Sequence, residues 1–316
     1  MPTDYRPAAP PPVLPVFLAV LLFFLSGCAP GSEPEKVSLK SAPEPSKTAA
    51  PADEKSLRVA VAAMISPKET FIFYKDLVNY IGEKVSMPVT FVQRETYEEV
   101  NKLLEKNELD LAFVCTGAYV EGHDSFGMEL LAAPVAYGQP LYYSYVIVPK
   151  DSGVSSLEGL RGKSFAFTDP LSNTGKLAPV CMLASMKETP ESFFKATTYT
   201  YSHDKSIESV ARKIVDGAAV DSLVWDYLDK KTPRLTSQTR IIKKSEPYGI
   251  PPVVVSKTLD PGLKEKLKAA FLSMHEDEKG KKILSEIMID RFTRLDDGKY
   301  DSVRAMKKWV EANAGK

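Results

Sequence analysis

The stretch DLAFVCTG, Asp110–Gly117, is apolar at nearly every position between an acidic start and a glycine. A half-buried strand alternates apolar and polar residues, because its side chains point to opposite faces in turn. A run without alternation reads as a strand covered on both faces, as in a parallel sheet packed between helices. The flanking segments agree. SLRVAVAAM (56–64) and MPVTFVQ (87–93) have strand character. KETFIFYKDLVNYIGEKV (68–85) carries Phe73, Leu77, Tyr80 and Ile81 at helical spacing, and TYEEVNKLLEKNEL (96–109) turns Val100, Leu103 and Leu104 inward. Strand and helix alternate, so an α/β fold with parallel sheets is predicted.

The alternation resumes further on. LYYSYVIVPK (141–150), SFAFT (164–168), TYTY (198–201), AAVDSLVWDYL (218–228, running into a helix) and PYGIPPVVVSKTL (247–259) read as strands. Between them SSLEGLRG (155–162), NTGKLAPVCMLAS (173–185) and DKSIESVARKIVDG (204–217) read as helices, and three more helices close the sequence. Two α/β lobes are expected, with residues 57–145 and about 250–316 in the first and 146–249 in the second. The chain is expected to cross between them near Tyr145 and again near Gly249.

The first 56 residues stand apart. VLPVFLAVLLFFL, Val13–Leu25, is an apolar run short of the roughly 20 residues that span a bilayer, and it suits a signal-peptide core. LSGC follows and resembles the lipobox of bacterial lipoproteins, in which Cys28 is lipidated and becomes the new amino terminus. Residues 29–56 are rich in Pro, Ala, Ser, Glu and Lys and hold no aromatic residue, the composition of a disordered tether. An exported, membrane-anchored protein is expected.

Charge excludes one class of partner. The 41 basic residues balance the 41 acidic ones, whereas a nucleic-acid binder carries a basic excess. Beyond Cys28 the cysteines are Cys115 and Cys181, read as two buried free thiols. Neither lies in a metal-binding spacing, and no metal or cofactor is expected.

FTDPLSNTGKLAP, Phe167–Pro179, places Ser172, Asn173, Thr174 and Gly175 between an apolar strand and a helix. Backbone N–H groups at a helix N-terminus lack internal partners, and the macrodipole adds roughly half a positive charge there. Hydroxyls from Ser172 and Thr174 and the Asn173 amide add donors, so the segment suits an oxyanion without requiring an arginine. A plain helix cap is the rival reading, since Ser, Asn and Thr are preferred caps, and both can hold. The TGK within it is not a P-loop, because Pro170 and Leu177 stand where Gly and Ser or Thr are required. No GxSxG or HExxH motif or paired catalytic carboxylates are present, so an enzyme is not expected.

Residues 58–120, with Tyr74, Leu77, Tyr80, Tyr97, Glu99, Leu104, Asp110, Ala112, Gly117 and Tyr119 in order, resemble the opening lobe of the phosphate/phosphite/phosphonate-binding proteins of ABC transporters. DPLSNTGKLAP is similar to that family's anion loop. HDKSIESVARKIVDGAAVDS matches a further segment through His203, Ile207, Val210, Gly217, Val220 and Asp221. Asn107 stands where a glycine is common, and the loop reads Ser-Asn-Thr where Ser-Thr-Ser is frequent. The resemblance implies a type II periplasmic-binding-protein fold, a monomer with two lobes around a cleft, delivering a small oxyanion to an inner-membrane permease. It implies ligand contacts from the 172–175 loop and from His203, with Tyr74, Thr116, Gly117 and Tyr119 supplied by the first lobe at the carboxyl ends of its strands. Asp221 reads either as a contact for a ligand amine or as a buried strand-end carboxylate. The same fold serving as a sensor for a membrane signalling partner is the alternative function.

Overall fold

The computed structural model describes residues 56–313. Cys28, the apolar run before it and the tether as far as Lys55 lie outside the described residues. The chain begins β1 (Leu57–Val61), α1 (Pro67–Val85), β2 (Val89–Val92), α2 (Tyr97–Glu105), β3 (Leu111–Phe113), α3 (Thr116–Phe126) and β4 (Glu129–Val135). It continues β5 (Leu141–Tyr142), β6 (Ser144–Pro149), β7 (Ser164–Phe167), α4 (Ala178–Ser185), α5 (Pro190–Phe193), β8 (Ala196–Tyr199), α6 (His203–Ala211), β9 (Gly217–Asp221), α7 (Ser222–Lys231) and β10 (Thr239–Lys244). It ends β11 (Tyr248–Gly249), β12 (Val253–Val255), α8 (Pro261–Ser273), α9 (Glu278–Glu286), β13 (Arg291–Thr293) and α10 (Asp301–Asn313).

Among the described residues two large sheets form, one per lobe, with a two-stranded pair besides. The first has the order β13-β4-β12-β3-β1-β2 and the second β10-β6-β9-β7-β8. Each is parallel only in part: β1 pairs in parallel with β2 and β3, and β7 with β8 and β9. The expected parallel sheets are thus found in part: the strand that arrives in each sheet from the other enters in the opposite sense, and β13 at the edge of the first sheet runs antiparallel to β4. β12 runs antiparallel to β3 and β4, and β6 antiparallel to β9 and β10. Between the two sheets β5 and β11 pair, with Tyr142 opposite Tyr248 and Leu141 opposite Gly249.

β3 is buried on both faces. Leu111 and Phe113 pack with the α1 and α8 side chains, while Ala112 and Val114 pack with Tyr97, Leu104 and Tyr119. Local chemistry sets the helix ends. Thr96 Oγ1 accepts from the Glu99 N–H at 3.2 Å while Glu99 returns to the Thr96 N–H at 3.0 Å, a reciprocal cap for α2. Past the other end of α2, Asn107 has φ +58°. That left-handed geometry favours glycine, and among other residues asparagine tolerates it best. Its Oδ1 accepts hydroxyl bonds from Ser256 and Thr258.

The segment after β7 begins as a widened turn over Asn173–Leu177, in which the Leu177 N–H reaches Ser172 O at 3.0 Å. Pro179 has no N–H to return to the Gly175 carbonyl. That carbonyl accepts instead from the Thr168 N–H at 3.2 Å, fastening the turn to the end of β7. A Cβ at Gly175 would lie 2.4 Å from Thr168 Oγ1, so only glycine allows this approach.

Candidate functional site

The carboxyl ends of β1, β3, β7 and β9 face one another across the gap between the sheets. From the second lobe, the Asn173–Leu177 turn follows β7, α6 follows β8 and α7 follows β9. Each begins with short polar residues, and they are used unequally. Ser172 Oγ accepts from the Gly175 N–H at 2.9 Å, so it caps its own turn. Thr174 gives its carbonyl to the Ser144 hydroxyl at 2.6 Å, while its own buried Oγ1 has no partner among the described residues. Asn173 Nδ2 donates to the Tyr142 hydroxyl at 3.1 Å and its Oδ1 is unpartnered. Ser202, the residue before α6, is buried without using its hydroxyl as a cap.

His203 is fully buried at the start of α6. Its Nδ1 accepts from the Asp221 N–H at 3.0 Å and lies 3.1 Å from Thr168 Oγ1. An acceptor at Nδ1 leaves the imidazole proton on Nε2, and that atom is buried and has no partner among the described residues. Burial lowers the pKa from the ordinary 6.5 to about 3, so the ring is a neutral donor at physiological pH. Asp221 lies opposite Ser144 in the β6–β9 ladder. One carboxylate oxygen caps α7 by accepting from the Leu223 N–H at 2.7 Å, and the other is buried and unpartnered. Burial pushes its pKa up to about 7.

The first lobe completes the wall. Tyr97, at the start of α2, is fully buried with its hydroxyl unpartnered among the described residues, and burial raises its pKa well above the ordinary value. Its backbone N–H donates to Asp169 Oδ2 of the second lobe at 3.2 Å. Tyr74 packs edge-on to Phe113 at 5.1 Å, and burial pushes its pKa up to about 12, with the Asp221 charge adding to the effect. Thr116 Oγ1 donates to the Gly249 carbonyl at 2.8 Å. Gly117 meets the second lobe at close range: a Cβ there would lie 2.2 Å from Leu171 O and 2.9 Å from Asn173 N. Further bonds between the lobes join the His203 N–H to Met64 O and the Ser66 N–H to Asp204 Oδ1, both at 2.9 Å.

Ser172, Asn173, Thr174, Gly175, His203 and Asp221 thus stand together, with Gly117 and Tyr74 facing them, whereas the Thr116 hydroxyl is already given to the Gly249 carbonyl. Tyr119 does not join them: its hydroxyl donates to Asp297 Oδ1 at 2.7 Å, and its ring packs on Tyr300. Sequence reasoning passed over Tyr97 and Ser202 as site residues. The signal for both was position, since each begins or precedes a helix that follows a strand. Phe73, read as a core position of α1, instead meets Tyr227 of α7 edge-on at 5.1 Å. Cys115 and Cys181 are both free thiols, the first buried and the second half-buried.

Two mixed sheets joined by a paired double crossing, with polar groups converging between them, define a type II periplasmic binding protein. The chain belongs to the family of periplasmic substrate-binding proteins of phosphonate ABC transporters, whose model matches residues 59–300. It is 24% identical over 263 residues to the phosphonates-binding periplasmic protein of Escherichia coli, covering 82% of this chain and 78% of that one. It is 25% identical over 264 residues to the phosphate-import protein PhnD of Mycolicibacterium smegmatis, covering 80% and 79%. A binding component of a phosphonate ABC transporter from Pseudomonas aeruginosa superposes with a TM-score of 0.79 at 24% identity, over 83% of this chain and 88% of that one. The family is one of transport proteins that bind substrate and pass it to a permease, and its members are exported. No helix among the described residues is long and apolar enough to cross a membrane.

Proposed function

We propose that the protein is a lipid-anchored receptor that closes its two lobes on a tetrahedral phosphorus oxyanion (a phosphonate, phosphite or phosphate) and presents it to an inner-membrane permease. The chain crosses between lobes at β5 and β11, and this pair is the hinge. Cys28 carries the lipid, and the receptor acts as a monomer.

The observation that carries the reading is His203. Its Nδ1 is fixed as an acceptor by the Asp221 N–H, so the buried Nε2–H must donate to something other than the described protein. Leaving such a group unpaired costs about 1–3 kcal/mol, and a bound oxyanion removes that cost. The Thr174, Tyr97 and Ser202 hydroxyls supply further neutral donors. Neutral donors fixed by the fold match an anion without the desolvation penalty of an ion pair. Asp221, with a pKa near 7, shares one proton with the ligand. It accepts from a hydrogen phosphonate, or donates to the dianion as the acid. Sulfate and sulfonates bring no proton at neutral pH, so they can pair only with the acid form of Asp221 and meet repulsion once it ionises, whereas a hydrogen phosphonate can pair with either form.

A thermal-shift panel of phosphate, phosphite, methylphosphonate, 2-aminoethylphosphonate and sulfate tests this reading. A cognate anion at a hundredfold excess over its Kd raises stability by about 2.7 kcal/mol. No shift with any phosphorus oxyanion, or a larger one with sulfate, would overturn it.

A further inference from the structure

Beside the donor cluster lies a cavity of about 450 Å³ between the lobes. Phe73, Tyr74 and Phe113 wall it from the first lobe, and Val224, Tyr227 and Leu228 from the second. Of the donor residues, Asp221 alone also lines it. Asp221 therefore stands at the junction: its N–H holds His203 on one side, and its side chain lines the cavity together with Tyr74 on the other. The contact between Phe73 and Tyr227 ties the two walls together at 5.1 Å. Glu69, Glu208 and Arg234 bring further charged groups to the cavity and Tyr137 a further hydroxyl, while Asp204 is engaged by the Ser66 N–H.

Phosphate, phosphite and methylphosphonate offer little beyond the oxyanion itself to the unpartnered donors. None of them has atoms to occupy an apolar cavity of this size. Cavities of about 300–1,000 Å³ with apolar and aromatic walls and a few convergent polar groups are the sites of drug-sized ligands. We propose that the ligand is an organophosphonate with a substantial apolar substituent, an aryl group or an alkyl chain of several carbons. Its phosphonate is held at Thr174, His203 and Tyr97, and its substituent enters the cavity past Asp221. The inference rests on the oxyanion reading above and narrows it.

Titration calorimetry on the full chain decides it, with methylphosphonate, n-hexylphosphonate, phenylphosphonate, 2-aminoethylphosphonate and phosphate as probes. Each buried methylene strengthens binding about fourfold. With part of the chain left in solvent, n-hexylphosphonate is expected to bind at least about a hundredfold more tightly than methylphosphonate, and phenylphosphonate at least about tenfold. Val224→Trp, which fills the cavity, should lower the hexyl-to-methyl affinity ratio about tenfold or more. Leu228→Phe repeats the test with a smaller change should the first variant fail to fold. Equal affinity for hexyl- and methylphosphonate, tighter binding of 2-aminoethylphosphonate than of phenylphosphonate, or an unchanged ratio in a folded Val224→Trp protein would overturn the inference. Each of those outcomes leaves the oxyanion reading standing. Failure of the whole series to bind, including methylphosphonate and phosphate, would instead remove the oxyanion reading and this inference with it.

Discussion

The backbone N–H of Asp221 donates to Nδ1 of His203 across 3.0 Å, and burial pushes the two side chains it couples in opposite directions. His203 is lowered from 6.5 to about 3, and Asp221 is raised from 3.8 to about 7. The folded protein therefore holds an uncharged carboxylic acid and an uncharged imidazole where the unfolded chain, in mildly acidic solution, holds a carboxylate and an imidazolium.

This exchange makes a prediction about stability. The His203 contribution is full above pH 6.5 and is lost as pH falls towards 3. The Asp221 contribution is full below pH 3.8 and is lost as pH rises through about 7. Between 3.8 and 6.5 each state binds one proton at this pair, so the two effects cancel. Asp221→Asn removes one side of the balance. Its stability should fall by up to about 1.4 kcal/mol per pH unit as pH drops below 6.5, relative to the unsubstituted protein. Urea unfolding in a pH series measures this. His203→Gln should tilt the other way and lose stability as pH rises towards 7. Parallel curves for Asp221→Asn and the unsubstituted protein would refute the coupling.

Thr174 and Ser172 are two residues apart in one turn and should separate cleanly on substitution. The Thr174 hydroxyl is buried and unpartnered, whereas the Ser172 hydroxyl accepts from the Gly175 N–H. Thr174→Val keeps the shape and removes a donor to an anion, worth about 1.5–3 kcal/mol, or roughly ten- to a hundredfold in affinity. Stability without ligand should hardly change. Ser172→Ala removes a cap and should cost about 1 kcal/mol of stability, with a smaller effect on affinity. Calorimetry with methylphosphonate and unfolding without it supply the two axes. A Thr174→Val protein that binds as tightly as the original would exclude this hydroxyl from the site.

Much of this was legible in the sequence, and the reasons for the remainder are physical. Apolar runs such as DLAFVCTG marked strands buried on both faces, because burial on both sides erases alternation. The sense of pairing was not marked. VVV in β12 reads the same whether its neighbours run with it or against it, so the mixed sheets were missed. The short polar residues at 172–175 pointed to a helix start and an anion site, because the same donors serve both. Which hydroxyl caps and which stays free depends on the Pro179-widened turn, and no local pattern reports that. Tyr119 and Tyr97 both belong to the matched motif. Only Asp297 and Arg304, far along the chain, distinguish them by claiming the Tyr119 hydroxyl through the Asp297 carboxylate that Arg304 also grips at 2.8 Å.

Anchoring gives an independent test. If Cys28 is the lipidation site, Cys28→Ser should shift the protein from the membrane fraction to the soluble fraction, or leave it uncleaved. Metabolic labelling with a radioactive fatty acid reads the modification directly. Label in the Cys28→Ser protein at the original level would rule the site out.

The final prediction concerns closure. Gly117 opens α3 in the first lobe, and Leu171–Asn173 belong to the second. The Cβ added by Gly117→Ala would lie 2.2 Å from the Leu171 carbonyl oxygen and 2.9 Å from the Asn173 nitrogen. Both are backbone atoms, and they cannot swing aside as a long side chain would. Asp169 holds the same loop by accepting from the Leu171 N–H at 2.8 Å and from the Tyr97 N–H at 3.2 Å, so the loop has little room to retreat. The clash is therefore relieved most cheaply by keeping the lobes apart. Alanine suits a helix better than glycine does, so α3 itself should not be weakened. The variant should fold, with each lobe intact, and bind the anion at least about tenfold more weakly, since the Tyr97 hydroxyl cannot then meet the donors of the second lobe. Small-angle scattering should show the unsubstituted protein contracting on addition of ligand and the variant remaining extended. A Gly117→Ala protein that contracts and binds normally would show that the approach of Gly117 to Leu171 does not gate closure.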